Sequence, residues 1–169
     1  VNSLLKVKAY NDHIRQYPKE LDAEVAKRTK DLAKALEKIK IETRFAGEEL
    51  SVQVDRDQMQ QVLFNLLANA IEAMPEGGEI VIKTFQTMQP DFPHDKKFCV
   101  IEVQDSGEGI SEENMKRLFE PFFTTKKEKR GTGLGLFMSK LIVTNHKGNL
   151  EIESKLGLGT KARIFLPLV

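Results

Sequence analysis

Residues 98–110 read FCVIEVQDSGEGI. Seven residues rich in apolar side chains run into an aspartate and then into a turn with two glycines, which predicts a strand over 98–105. One phase of that strand is Cys99, Ile101, Val103 and Asp105; the other is Phe98, Val100, Glu102 and Gln104. Successive side chains on a strand point to opposite faces, so the phase that stays apolar up to Asp105 is predicted to face the core. A carboxylate is thereby aimed inward, where it needs a donor or a cation. Two partners are open to it: the exocyclic amine of a bound purine, or the backbone of the DSGEG turn, which the aspartate would cap. Gly107 and Gly109 suit both, because they permit a tight turn and the close approach of a flat ligand to the backbone.

Upstream, Val62, Leu63, Leu66, Leu67, Ala70, Ile71 and Met74 recur at the spacing of one buried helical face. They predict a helix from about Arg56 to Met74, with Asp55 as its N-cap and Pro75 with Gly77-Gly78 ending it. Gln61, Asn65, Asn69 and Glu72 fall along one line of that helix. Asn65 and Asn69 are either satisfied by nearby backbone or turned toward a metal, since a carboxamide oxygen is a good ligand for Mg²⁺ at a phosphate. Strands are also predicted at 39–45, 51–54, 79–85, 149–154 and 160–168, the last two forming a hairpin around Gly157-Leu158-Gly159. Further helices are predicted from Pro18 to about Lys40, near 111–118, and from about Leu134 to His146. Residues 86–97, with two prolines and several charges, read as a loop.

GTGLGL, residues 131–136, opens the last of these helices. Glycines ahead of a helix N-terminus expose backbone N–H groups that, with the helix dipole, bind phosphate. Just before them stand Lys126, Lys127, Lys129 and Arg130, in an irregular segment (120–133) that reads as a mobile lid carrying cations. No GxxxxGK[ST] and no GxGxxG after a first strand is present, nor the HRD and DFG marks of protein kinases.

The totals fit one domain. The chain has 169 residues, 40% hydrophobic and 30% charged, with a formal net charge of +1. That balance gives no bulk attraction to nucleic acid. No apolar run approaches the roughly 20 residues that cross a bilayer, and the start at Val1 lacks the series of a secretory signal. Cys99 is alone and sits in an apolar pattern, so it reads as a small core residue of a cytoplasmic protein.

In order, NLLANAIEAM (65–74), DSGEGI (105–110), LFEPFFTTK (118–126), GTGLGL (131–136) and GLGTKARIFLPL (157–168) closely resemble the boxes and closing strands of the histidine-kinase ATP-binding domain. That domain shares a superfamily with gyrase, the MutL repair proteins and the heat-shock chaperone ATPases. The resemblance covers roughly Ile39 to Val169. PFFTTK together with NAIEA looks most like the nitrogen-regulatory sensor kinases. It implies a two-layer α/β sandwich, with a mixed, largely antiparallel sheet and helices on one face. It also implies ATP and Mg²⁺ as ligands. Asp105 would meet the adenine amine, with Gly107, Gly109 and Ile110 shaping the base pocket and Thr160 supporting the base. Asn69 would ligate Mg²⁺, with Asn65 near the phosphates. Gly131, Thr132, Gly133, Leu134, Gly135 and Leu136 would form the phosphate turn, and Lys126 or Arg130 would reach the γ-phosphate. Phe119, Phe122 and Phe123 match the aromatic box of the lid.

Asn65 stands where gyrase-like members carry a glutamate as general base, which favours transfer to a protein over hydrolysis. Asn65 and Lys126 are therefore the candidate catalytic residues. The phosphoacceptor motif is missing: none of His13, His94 and His146 has its context. VNSLLKVKAYN, at the start of residues 1–17, resembles the tail of a dimerisation helix, with the catalytic domain over 18–169. The acceptor histidine is expected upstream, on a dimerisation domain of the same protein that makes the whole protein a dimer, with a response regulator downstream and a membrane anchor left open. Two rivals stay in view: a serine kinase of the anti-sigma type, and a degenerate domain that only docks a partner.

Overall fold

A computed structural model describes residues 38–88, 96–125 and 132–169. The strands among them are β1 (Ile39–Arg44), β2 (Gly78–Met88), β3 (Lys97–Asp105), β4 (Asn149–Lys155) and β5 (Gly159–Pro167). The helices are α1 (Arg56–Glu72), α2 (Glu112–Met115) and α3 (Gly135–Asn145). The strands form one sheet in the order β1-β2-β3-β5-β4. β1 runs parallel to β2, and every other pairing is antiparallel. The sandwich and its mixed sheet are those predicted.

α1 begins where Asp55 accepts a hydrogen bond from the Gln58 N–H at 2.9 Å, a side-chain cap for an otherwise orphaned donor. Its Met59, Val62 and Leu66 join Ile142 and Val143 of α3 and Leu150, Ala162, Ile164 and Leu166 of the sheet in one apolar cluster. Its far end, with Ala70 and the following Met74, packs on Ile39, Ile80 and Val103 in a second. Both long helices thus bury their apolar stripe on the same sheet face. Fully burying each such side chain contributes on the order of 1.5–3 kcal/mol.

The inner phase of β3 lies as expected, with Val103 buried in the second cluster and Ile101 packed against the first. The opposite phase is buried too. Phe98, Val100 and Phe165 form a third cluster, and Glu102 is only 4% exposed. That carboxylate is paired on both sides, with Lys83 on β2 at 3.1 Å and Arg163 on β5 at 2.8 Å. Arg163 reaches on to Glu153 of β4 at 2.7 Å, so a line of alternating charge crosses four strands.

Several predicted elements shift. Residues 51–54 are not a strand: only Val52 pairs, in a single bridge to Leu168, because the chain must turn at Asp55 to enter α1. Helix α2 is one turn long, after which Arg117 and Glu120 close successive turns onto Asn114 and Arg117. The strand predicted at 79–85 runs on to Met88, and β3 starts at Lys97, so both ends of the predicted 86–97 loop are strand; its middle, 89–95, lies outside the described residues. The helix predicted from Pro18 falls, up to residue 37, outside them as well, and Lys38 already stands in the turn that leads into β1.

Candidate functional site

β3 ends at Asp105 beside the start of β5, and the side chain of Asp105 turns under the helices. Its Oδ1 accepts from the Gly107 N–H at 2.8 Å and from the Thr160 N–H at 3.2 Å. Oδ2 accepts nothing among the described residues. Burial pushes the Asp105 carboxyl above its ordinary pKa, and the two backbone donors offset only part of that effect. The aspartate thus both caps its turn and keeps one oxygen turned elsewhere.

Asp105 belongs to the wall of a cavity of about 500 Å³, of the size that holds a nucleotide-sized ligand. Of the residues singled out in the sequence, Asn69, Asp105, Gly109, Ile110, Thr132, Gly133, Gly135, Leu136 and Thr160 line it. Leu66, Val103, Ile152 and Ala162 give it an apolar floor, and Phe123, Leu118 and Leu156 apolar sides. Gly109 has φ +69°, and a Cβ there would run into the carbonyl of Lys155. The turn after β3 therefore lies directly on the β4–β5 hairpin, tied to it by the Gly157 N–H on the Glu108 carbonyl at 2.7 Å.

At the opposite end, α3 starts at Gly135 with Leu134 in the N-cap position and no side chain capping it. Its first N–H groups are left for an anion. Gly133 has φ +67°, and any Cβ there would strike the backbone of Phe122, so the glycine turn and the end of the PFF segment are packed backbone to backbone. Lys140 lies 5.3 Å from the centre of the Phe119 ring and Arg117 lies 4.5 Å from that of Phe123, which ties two of the three phenylalanines to cations. Phe122 is exposed.

Other predicted residues stand back from the cavity. Asn65 does not line it: its amide donates to the Gly135 carbonyl and to Ser139 Oγ, both at 3.3 Å, and joins α1 to α3. Gly107 serves Asp105 through its N–H, and Leu134 occupies the N-cap position of α3. Lys126, Arg130 and Gly131 lie outside the described residues. No three of His, Cys, Asp and Glu gather as a metal cage among the described residues. The carboxamide of Asn69 fits Mg²⁺ instead, an ion held mostly by phosphate oxygens and water.

Sequence reading put Glu72 on the line of Asn65 and Asn69 without giving it a place in the site, and missed Glu108, Ser111 and Asn114 on the cavity wall, and Ser154 behind it. A signal for Ser154 existed: Leu150, Ile152 and Ser154 share one strand phase, an apolar series ending in a polar group, just as Cys99 to Asp105 does.

Residues 54–169 match the family described as Histidine kinase-, DNA gyrase B-, and HSP90-like ATPase. The chain belongs to that family. Among its relatives are Sporulation kinase E of Bacillus subtilis (strain 168), 42% identical over 69% of this chain and 15% of the relative, and Sensor kinase CckA of Brucella abortus (strain 2308), 41% identical over 69% and 13%. The chain thus spans less than a fifth of either relative's length. In solved structures, the catalytic domain of histidine kinase ThkA in a nucleotide-free form is similar with a TM-score of 0.63 and 31% identity, over 88% of this chain and 90% of that one. The mycobacterial sensor histidine kinase MprB has a TM-score of 0.62 at 26% identity, over 83% and 94%. The chain carries the ATP-binding catalytic domain of sensor histidine kinases. No helix among the described residues is long and apolar enough to cross a membrane.

Proposed function

We propose that this domain binds Mg-ATP in the 500 Å³ cavity and hands the γ-phosphate to a histidine on a dimerisation domain outside this chain. The observation that carries this reading is the placement of Asp105 in the cavity wall, with one oxygen fixed by backbone, together with the start of α3, which no side chain caps, in the same wall. Adenine lies against Asp105, Gly109, Ile110 and Thr160, its amine donating to Oδ2. The triphosphate runs toward Thr132, Gly133 and the first N–H groups of α3, with Gly131 and Leu134 completing the turn. Bound Mg²⁺ neutralises phosphate charge. Asn69 is the side chain that holds it, and Asn65 keeps α1 and α3 at the spacing the phosphates need. Lys126 and Arg130 supply cations to the γ-phosphate. Transfer then breaks the bond from the γ-phosphorus to the bridging oxygen, forms one to the acceptor nitrogen, and releases ADP; the domain contributes position and charge.

His146 supports an acceptor elsewhere, since both its ring nitrogens are engaged: Nε2 accepts from the Asp55 N–H at 2.9 Å, and Nδ1 bonds the Ile142 carbonyl at 2.8 Å. PFFTTK and NAIEA support a place among the nitrogen-regulatory kinases, with a response regulator downstream and a cytoplasmic site for this domain.

The test is incubation with γ-labelled ATP. This chain alone is expected to remain unlabelled and to release little phosphate. Adding the acceptor domain should give an acid-labile phosphoramidate on that domain. Acid-labile label on His13, His94 or His146 would overturn the division of labour, and acid-stable label on a partner's serine would favour a serine kinase.

A further inference from the structure

Behind the cavity wall, where β4 turns into β5, three polar groups converge on one hydroxyl. Ser154 Oγ lies 2.8 Å from the Gly159 carbonyl oxygen, 2.9 Å from the Ile110 nitrogen and 2.9 Å from Thr160 Oγ1. A serine hydroxyl has one proton and two lone pairs. The Gly159 carbonyl can only accept, so the Ser154 proton goes there. The Ile110 N–H takes one of the lone pairs. One arrangement remains for the third contact: the Thr160 hydroxyl donates to Ser154. Thr160 has no other proton on that oxygen, so it shows the cavity lone pairs alone.

Beside it, Asp105 Oδ1 already holds the Thr160 and Gly107 N–H groups, which leaves Oδ2 as a second acceptor. Two neighbouring side chains thus offer acceptors to one edge of whatever lies there. A 6-amino purine has two N–H donors on its C6 substituent; the oxygen of a 6-oxo purine has only lone pairs there and meets repulsion. We infer that Ser154 is a specificity-determining residue: by fixing the direction of the Thr160 hydroxyl, it makes the site select a 6-amino over a 6-oxo purine nucleotide. Ser154 is a positioning residue, acting through Thr160 without touching the base. A bridging water would preserve the polarity, because it would donate to Thr160 and accept from the amine. The inference rests on the proposed adenine placement at Asp105.

Calorimetric titration of the chain with ATP and with inosine triphosphate, which carries an oxo group at that edge, separates the two. The chain itself should prefer ATP. Ser154→Ala should lower the ATP-to-ITP affinity ratio by about tenfold, the equivalent of one hydrogen bond, because the freed Thr160 hydroxyl can rotate and donate to the oxo group. A purely structural loss would weaken both nucleotides alike, and an unchanged ratio overturns the inference while leaving Asp105 its role. Thr160→Val, which removes the lone pairs, should also collapse the ratio. If Ser154→Ala fails to fold, that variant decides, and a ratio kept at its original value overturns the inference. Absence of any ATP preference in the unsubstituted chain would instead sink the adenine placement itself.

Discussion

The two buried carboxylates of β3, three residues apart, respond to acid in opposite senses. Burial raises the Asp105 carboxyl above its ordinary value of 3.8. Its ionised form is therefore disfavoured by folding, a cost present above the raised value and relieved as pH falls through it. In nucleotide binding, protonation turns an acceptor into a donor facing the amine. ATP affinity should thus decline at a higher pH than an ordinary aspartate would allow, as titrations across the acid range would show. Asp105→Asn should weaken ATP by about 1–3 kcal/mol while leaving the apo domain as stable or slightly more so. Unchanged affinity would remove Asp105 from the site. Burial would push Glu102 up as well, but hydrogen bonds from Arg163 and Lys83, and the charges of Lys83 and Lys161, overcome it and hold the carboxyl below its ordinary 4.5. Its contribution is complete above 4.5 and lost as pH falls through the lowered value. Arg163→Ala, by leaving that buried charge half-paired, should destabilise the domain by about 3 kcal/mol at neutral pH. Urea unfolding at pH 7 checks that, and a loss that stays the same well below pH 4 would show that the pair is not its source.

Among the elements, the ones that sequence made plain are those whose cause is local. Asp55 caps α1 through a contact three residues away, and the apolar stripe from Val62 to Met74 needs no knowledge of its partner. Asp105 was legible for a related reason, as a polar break at the end of an apolar phase. Glu102 was not, because a polar residue in the alternate phase reads as solvent-facing, and the arginine that lets it be buried lies 61 positions downstream. Val52 failed the other way: its alternating neighbourhood reads as a strand, but α1 begins before a second residue can pair. The cavity is made where such distant elements meet, and one contact there is sharp. Gly109→Ala would need a positive φ and would press its methyl into the Lys155 carbonyl. It should cost about 1–3 kcal/mol for the backbone strain alone and loosen the hairpin under the base pocket. Thermal unfolding with and without ATP would reveal it as a lower Tm and a smaller nucleotide-dependent rise. A Tm and a rise equal to the parent's would mean that the turn is not seated on the hairpin.

At the scale of the whole molecule, the sheet order has a consequence for how the protein is made. β5 is synthesised after every other strand described here, yet it takes a place inside the sheet, between β3 and β4. Until it emerges from the ribosome, β3 is an edge, with Phe98 and Val100 lacking Phe165 and Glu102 lacking its arginine. An open apolar edge is a template for pairing with other chains. A product truncated just before Gly159 should therefore aggregate, where the full chain stays monodisperse in light scattering; a dispersed, folded truncate would contradict this. Nascent copies are exposed to one another until residues 159–167 have left the ribosome, so slow translation of that stretch, or a stop within it, would burden a cell's chaperones.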